Sequence, residues 1–388
     1  MKKIFLFATL LGVALTSCVK DELSQEAKQQ SKIVFDTPVV SPSTKVASEI
    51  PTTYPQTLDF GVWADYYENG FNNNMGTQYI NQSRVIYSGS GNTWVTVDGG
   101  GTETPYYWPK NGSLTFIAYS PYNVGNVTHT TQGIQIADYN NEDADTDLLF
   151  SERTYNVNNN GVTLNSEVGI QFKHALSSIR FGLRAGDYYP GTTIKIKSVK
   201  ICNVMTKASF NQGINGYNAG TNPTPATDAL PTNTCWSNYE ITGTAYTTKD
   251  YTYTATSPFA LTYDGAKNPL IHYTSTDGTT TPTANVTDYI FIPQVLNAIT
   301  GTNTRAAVKV VVTYTIQSPS SPEIEQTSEA YLAGLEGFSD PEMNTSVGTI
   351  NSWERGKRYT YIITVGLNKI TFTPQVTGWD DVYIGGSL

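Results

Sequence analysis

Apolar and polar positions alternate with a period of two near the end of the chain. From Lys357 onward, Tyr359, Tyr361, Ile363 and Val365 fall on one face and Arg358, Thr360, Ile362 and Thr364 on the other, the spacing of a pleated strand with one side to bury. The run Gly366-Leu-Asn368 interrupts the pattern. A second strand is predicted from Ile370, ending at Pro374, which has no amide to give to a ladder. Similar short runs occupy 32–36, 58–65, 85–87, 94–97, 114–121, 170–183, 194–204, 251–254, 289–293 and 307–316. Leu58, Phe60 and Val62 point inward in one of them, and the alternation slips at Ser198-Val199, which predicts a bulge. No stretch after residue 32 carries a long apolar rhythm of 3.6 residues with caps, so the chain reads as all-β.

Composition supports this reading. Aromatic residues make up 12% and charged residues 15%, with 26 Tyr, 32 Gly and 19 Pro, the vocabulary of strands and turns. A length of 388 residues suggests two domains at about 150 residues each. The net charge of −9 argues against nucleic acid as a partner, because a phosphate footprint needs clustered Lys and Arg.

Chemistry begins at the amino end. Met1-Lys2-Lys3 and the apolar residues 4–15 form a short secretory signal. Leu15-Thr16-Ser17-Cys18 resembles a bacterial lipobox: cleavage between Ser17 and Cys18 would leave an acylated Cys18 as the first residue, anchored by its buried methylenes. The plainer alternative is an ordinary signal peptide with an incidental cysteine. Lys20, Asp21 and Glu22 follow at once and are similar to the surface-export signal of lipoproteins from the Bacteroides group. Residues 18–31 are polar and read as a flexible tether.

Enzyme motifs are missing from the sequence. The three histidines, His129, His174 and His272, are dispersed, and there is no His-Glu-x-x-His, Gly-x-Ser-x-Gly or Cys-x-x-Cys. The acidic run 141–147 fails as a calcium loop, with Leu148 and Thr154 where glycine and a bidentate glutamate belong. No catalytic residue, metal ligand or cofactor is expected. Once Cys18 is acylated, Cys202 and Cys235 remain as a candidate disulfide.

Four segments resemble the fimbrillin-like (Mfa-like) family of bacterial surface lipoproteins: Tyr106-Tyr-Trp-Pro109, Asp147-Leu-Leu-Phe150, Phe172-Lys-His174-Ala-Leu176, and Trp353-Glu-Arg-Gly356-Lys-Arg-Tyr359 with the later Gly378-Trp379-Asp380. The resemblance implies two tandem transthyretin-like β-sandwich domains, 32–167 and 168–388, after a lipoprotein signal peptide (1–17) and the tether. It also implies a pilus subunit or adhesin on the outer membrane surface that joins other pilus subunits by β-strand donation. Proteolytic maturation is expected at Lys45, and the partners are other subunits, outer-membrane lipid through Cys18, and a surface receptor or glycan. Only residues 382–388 follow the Trp379 segment, which tilts the expected role from stalk towards tip, anchor or non-polymerising adhesin. The rival reading is a surface carbohydrate-binding lipoprotein, since tyrosine- and asparagine-rich loops suit sugar stacking.

Overall fold

A computed structural model describes residues 32–40, 52–69, 74–89, 91, 93–109, 111–156, 167–186, 190–213, 235–261, 271–274, 288–340, 345–367 and 370–379. Among these there is no helix; the chain is all-β, as its alternation predicts.

The first half is built on a nine-stranded sheet. Its order is Thr52–Thr53, Val39–Val40, Gln171–His174, Leu149–Ser151, Ser113–Ser120, Phe60–Tyr67, Thr77–Tyr87 and Trp94–Val97, with Thr154–Asn156 also paired to Ser113–Ser120. Both faces of its central strands are buried. One face presents Phe60, Val62, Phe116, Ala118 and Phe172 to a core shared with Ile33, Phe35, Tyr54 and Trp94. The other presents Trp63, Ile117, Tyr119 and Phe150 to Ile134, Ile136, Phe210 and Trp236, which come from a four-stranded sheet of Trp236–Ser237, Lys207–Asn211, Gly133–Asn140 and Val127–Thr130. Two-sided burial explains Gly61, which alternates with Phe60 and Val62: a Cβ there would run into the Tyr119 ring.

The second half packs a seven-stranded sheet on a four-stranded one. The larger has the order Ile271–Thr274, Ser177–Ala185, Lys357–Val365, Ile370–Gly378, Leu335–Asp340 and Thr345–Ile350, with Tyr289–Phe291 also paired to Ser177–Ala185. The smaller runs Thr248–Leu261, Thr193–Met205, Lys309–Gln317 and Ile324–Tyr331. Tyr359, Tyr361, Ile363 and Val365 enter the core between them, as their spacing requires, beside Ile179, Phe181, Val310 and Val312. Trp353 is fully buried and donates its indole N–H to the Tyr361 hydroxyl at 2.9 Å. The bulge also falls where the alternation slips, between Ile196 and Ser198.

Three features of the structure bear on the sequence reading. Pro374 does not end its strand, which continues to Gly378; the strand meets Leu335–Asp340 through the single bridge Phe338↔Gln375, and a strand bordered so lightly tolerates proline as an edge does. A boundary at 167 does not coincide with a break between sheets. Gln171–His174 completes the nine-stranded sheet, Lys207–Asn211 returns to pair with Gly133–Asn140 of the first half, and Trp236–Ser237 pairs with Lys207–Asn211 on its other side. Finally, Cys202 and Cys235 are both buried free thiols. Cys202 stands beside Asp250 in the four-stranded sheet of the second half, whereas Cys235 lies in the core formed with Phe210 and Trp236, so tertiary packing assigns them to different environments.

Candidate functional site

Residues 32–40 lie along a seam of the nine-stranded sheet and touch both of its sides. Ile33, Phe35, Pro38 and Val40 are buried, while Val34 is half-buried and Asp36 exposed. On one side, the Phe35 N–H donates to the Trp94 carbonyl at 3.0 Å, and the Trp94 N–H donates back to Phe35 at 3.2 Å. Further up, the Ile33 N–H reaches the Tyr106 carbonyl at 2.8 Å. On the other side, Asp36 donates to Val168 at 3.1 Å, Val168 to Val34 at 2.9 Å, and Val39 to Ile170 at 3.1 Å. The segment therefore runs antiparallel to Trp94 and parallel to Val168. It bridges the Trp94–Val97 strand to the stretch from Val168 to Ile170 that leads into Gln171–His174, two segments that are not neighbours in the sheet order.

Aromatic side chains line the seam because the strands that frame it bury both faces. The Phe35 ring meets Phe60 at 5.9 Å and Phe116 at 6.0 Å, both edge to face. Tyr54 closes the lower end against Phe60, Trp94 and Phe172. Its hydroxyl donates to the Asp59 carbonyl at 2.8 Å and lies 2.7 Å from Ser120 Oγ. Burial pushes that phenol well above its ordinary range, so it remains a neutral donor. At the upper end Lys32 pairs with Glu103. The chain leaves the seam after Val40 and re-enters the described structure at Thr52–Thr53, which pairs with Val39–Val40.

Of the residues singled out from the sequence, Ser17, Cys18, Lys20, Asp21, Glu22 and Lys45 lie outside the described residues. Lys45 belongs to the stretch between the seam segment and Thr52. His174 is buried where the two halves meet: Nδ1 lies 2.7 Å from Asp147 Oδ2, and the ring stacks on Trp379. That is a packing role at the junction. Gln212 accepts the Cys235 thiol through its carbonyl at 3.7 Å. Among the described residues no cluster of His, Cys, Asp or Glu is arranged to hold a metal ion.

Two buried charge clusters escaped the sequence reading. Arg153 donates to Asp65 Oδ2 at 2.9 Å, with His129 Nε2 3.0 Å from the same oxygen and stacked on Trp63. Asp288 accepts from Arg180 at 2.7 Å, from Arg358 at 2.8 Å and from the Ser178 hydroxyl. The one sequence signal for either was a charged residue at an otherwise apolar strand position, as at Asp65. Their partners are 88 and 64 residues away for Asp65, and 110, 108 and 70 for Asp288.

The described architecture can be set beside known proteins. Residues 52–379 match the fimbrillin-like family. A solved fimbrial protein from Bacteroides vulgatus is 17% identical, with 90% of this chain and 99% of that one aligned at a TM-score of 0.47. A candidate cell adhesion protein from Bacteroides ovatus is 15% identical over 91% and 99% of the two chains, at a TM-score of 0.46. Both likenesses are distant. No curated protein matches the chain.

Proposed function

The chain belongs to the fimbrillin-like family, and from that premise we propose a surface fimbrial subunit or adhesin that joins its partners by strand exchange at the seam held by residues 32–40. The observation that supports this is the segment's dual pairing. A short extended stretch supplies hydrogen bonds to Trp94, Val168 and Ile170 at once and buries Ile33, Phe35 and Val40. If it left, those backbone groups and the Phe60, Phe116 and Phe172 rings would be exposed, and another strand could satisfy them by β-augmentation.

The covalent link to Thr52–Thr53 adds to the segment's hold by keeping its effective concentration high. In this reading a cut at Lys45 breaks that link, acylated Cys18 holds the uncut protein to outer-membrane lipid, and Lys20, Asp21 and Glu22 direct it to the outer face.

The test has two parts. Mass spectrometry of the protein from its native membrane should find an acylated Cys18 start and a second form beginning after Lys45. Treating the pure mature chain with a lysine-specific protease and mixing it with its partner subunits should yield sodium dodecyl sulfate-resistant oligomers. Monomers that persist after the cut would count against strand exchange.

A further inference from the structure

The seam around Phe35 has a shape as well as two pairing edges, both met by residues 32–40. Phe35 is fully buried, and the rings of Phe60 and Phe116 meet it at interplanar angles of 88° and 89°. Its own N–H and carbonyl both pair with Trp94, while the residues on either side of it pair with Val168. Bonding from two sides at adjacent residues fixes the register of that one position. A slip by one residue would turn Val34 into the core and Phe35 out of it.

We propose that the seam is selective: it accepts an extended segment that runs antiparallel to the Trp94 strand, carries an aromatic ring at the register of Phe35, and has a branched aliphatic side chain two residues earlier, at the register of Ile33. The partner's strand is thus defined by an aliphatic-x-aromatic pattern, and this rests on the strand-exchange reading above. Leucine at the Phe35 register would fill much of the volume but lose both edge-to-face contacts. Alanine would leave a cavity walled by Phe60 and Phe116, whose strands are held in a buried sheet and cannot close over it. Positions 34 and 36 face away from this core and tolerate polar side chains.

The experiment uses the full mature chain with a site for a specific protease in place of residues 43–48. After cleavage, the chain is equilibrated in mild urea with fluorescent nonapeptides of sequence 32–40, and binding is read by anisotropy. The native peptide should enter the seam. Phe35→Leu should weaken its binding about tenfold, Phe35→Ala about a hundredfold or more, and Val34→Thr no more than about threefold. The proposal is overturned if the Phe35→Leu peptide binds as tightly as the native one, if a peptide with residues 34 and 35 interchanged binds equally well, or if no peptide enters. Should the peptides rank as stated while cut chains never assemble with partner subunits, the functional reading falls and the selectivity stands. Should assembly proceed with a flat ranking, the selectivity falls and the functional reading stands.

Discussion

His174 lies flat on Trp379, their ring centroids 3.9 Å apart and their planes inclined by 13°. The histidine closes a strand of the first-half sheet, and the tryptophan follows directly on the Ile370–Gly378 strand of the second. Gly356 holds the tryptophan in place: its carbonyl accepts the Trp379 N–H at 3.1 Å, and its own N–H donates to Leu176 at 2.7 Å. It does so at φ +67°, in the left-handed region that favours glycine. This gives the Trp353-Glu-Arg-Gly356 motif a physical purpose, the fastening of one half to the other.

Trp379→Ala should therefore destabilise the protein by about 3–5 kcal/mol, the range for truncating a buried large aromatic. Urea unfolding followed by tryptophan fluorescence checks this. A loss below about 1 kcal/mol would mean that the junction is not the packed contact described.

The Asp65, Arg153 and His129 cluster is expected to be sensitive to single changes and tolerant of paired ones. Arg153→Met leaves the buried Asp65 carboxylate short of its strongest partner and should cost about 3–5 kcal/mol. Combining it with Asp65→Leu should recover most of that loss, because no charge then remains stranded in the core. A double-mutant cycle in urea measures the recovery.

Burial pushes the Tyr119 and Tyr289 hydroxyls from the ordinary 10.0 up to about 12. Because the folded value is the higher one, their contribution to stability is fully present below pH 10 and is lost as the pH rises towards about 12. A tenfold difference in ionisation constant between folded and unfolded chain is worth about 1.4 kcal/mol. Absorbance titration at the phenolate band should show a late class of tyrosines that ionises together with alkaline unfolding. Titration of every tyrosine near pH 10 with the fold intact would contradict this.

Cys202 and Cys235 should behave as unreactive thiols in the folded protein. Burial is the leading cause that raises both above the usual cysteine value, so little thiolate is present near neutrality. Iodoacetamide should label both quickly in denaturant and slowly without it, and intact mass without reductant should retain both hydrogens. A mass lower by the two hydrogens of a disulfide would refute it.

The Ile324–Tyr331 strand stands at the edge of its sheet, where unpaired backbone invites another chain. Glu325 and Glu329 project from it towards Lys197 and Lys309. Two copies meeting antiparallel along this edge would bring their carboxylates together. Replacing both with Thr should leave the fold intact and increase self-association, read by light scattering at rising concentration. An unchanged monomer would show that the charges do not guard this edge.

The sequence by itself determined the kind of structure and many of its parts. Period-two alternation marked the strand carrying Tyr359 to Val365 and the faces it buries, and a slip in the same period marked the bulge beside Ser198, because both are properties of a few consecutive residues. The tertiary structure decided what pairs with what. Lys207–Asn211 returns to Gly133–Asn140, Ser177–Ala185 runs parallel to Lys357–Val365, and Phe35 lies between Trp94 and Val168. Pairing of this kind depends on which distant edges and aromatic faces remain open once the other strands have packed, so no local pattern encodes it. The same reason hid Arg153 from Asp65 and separated Cys202 from Cys235.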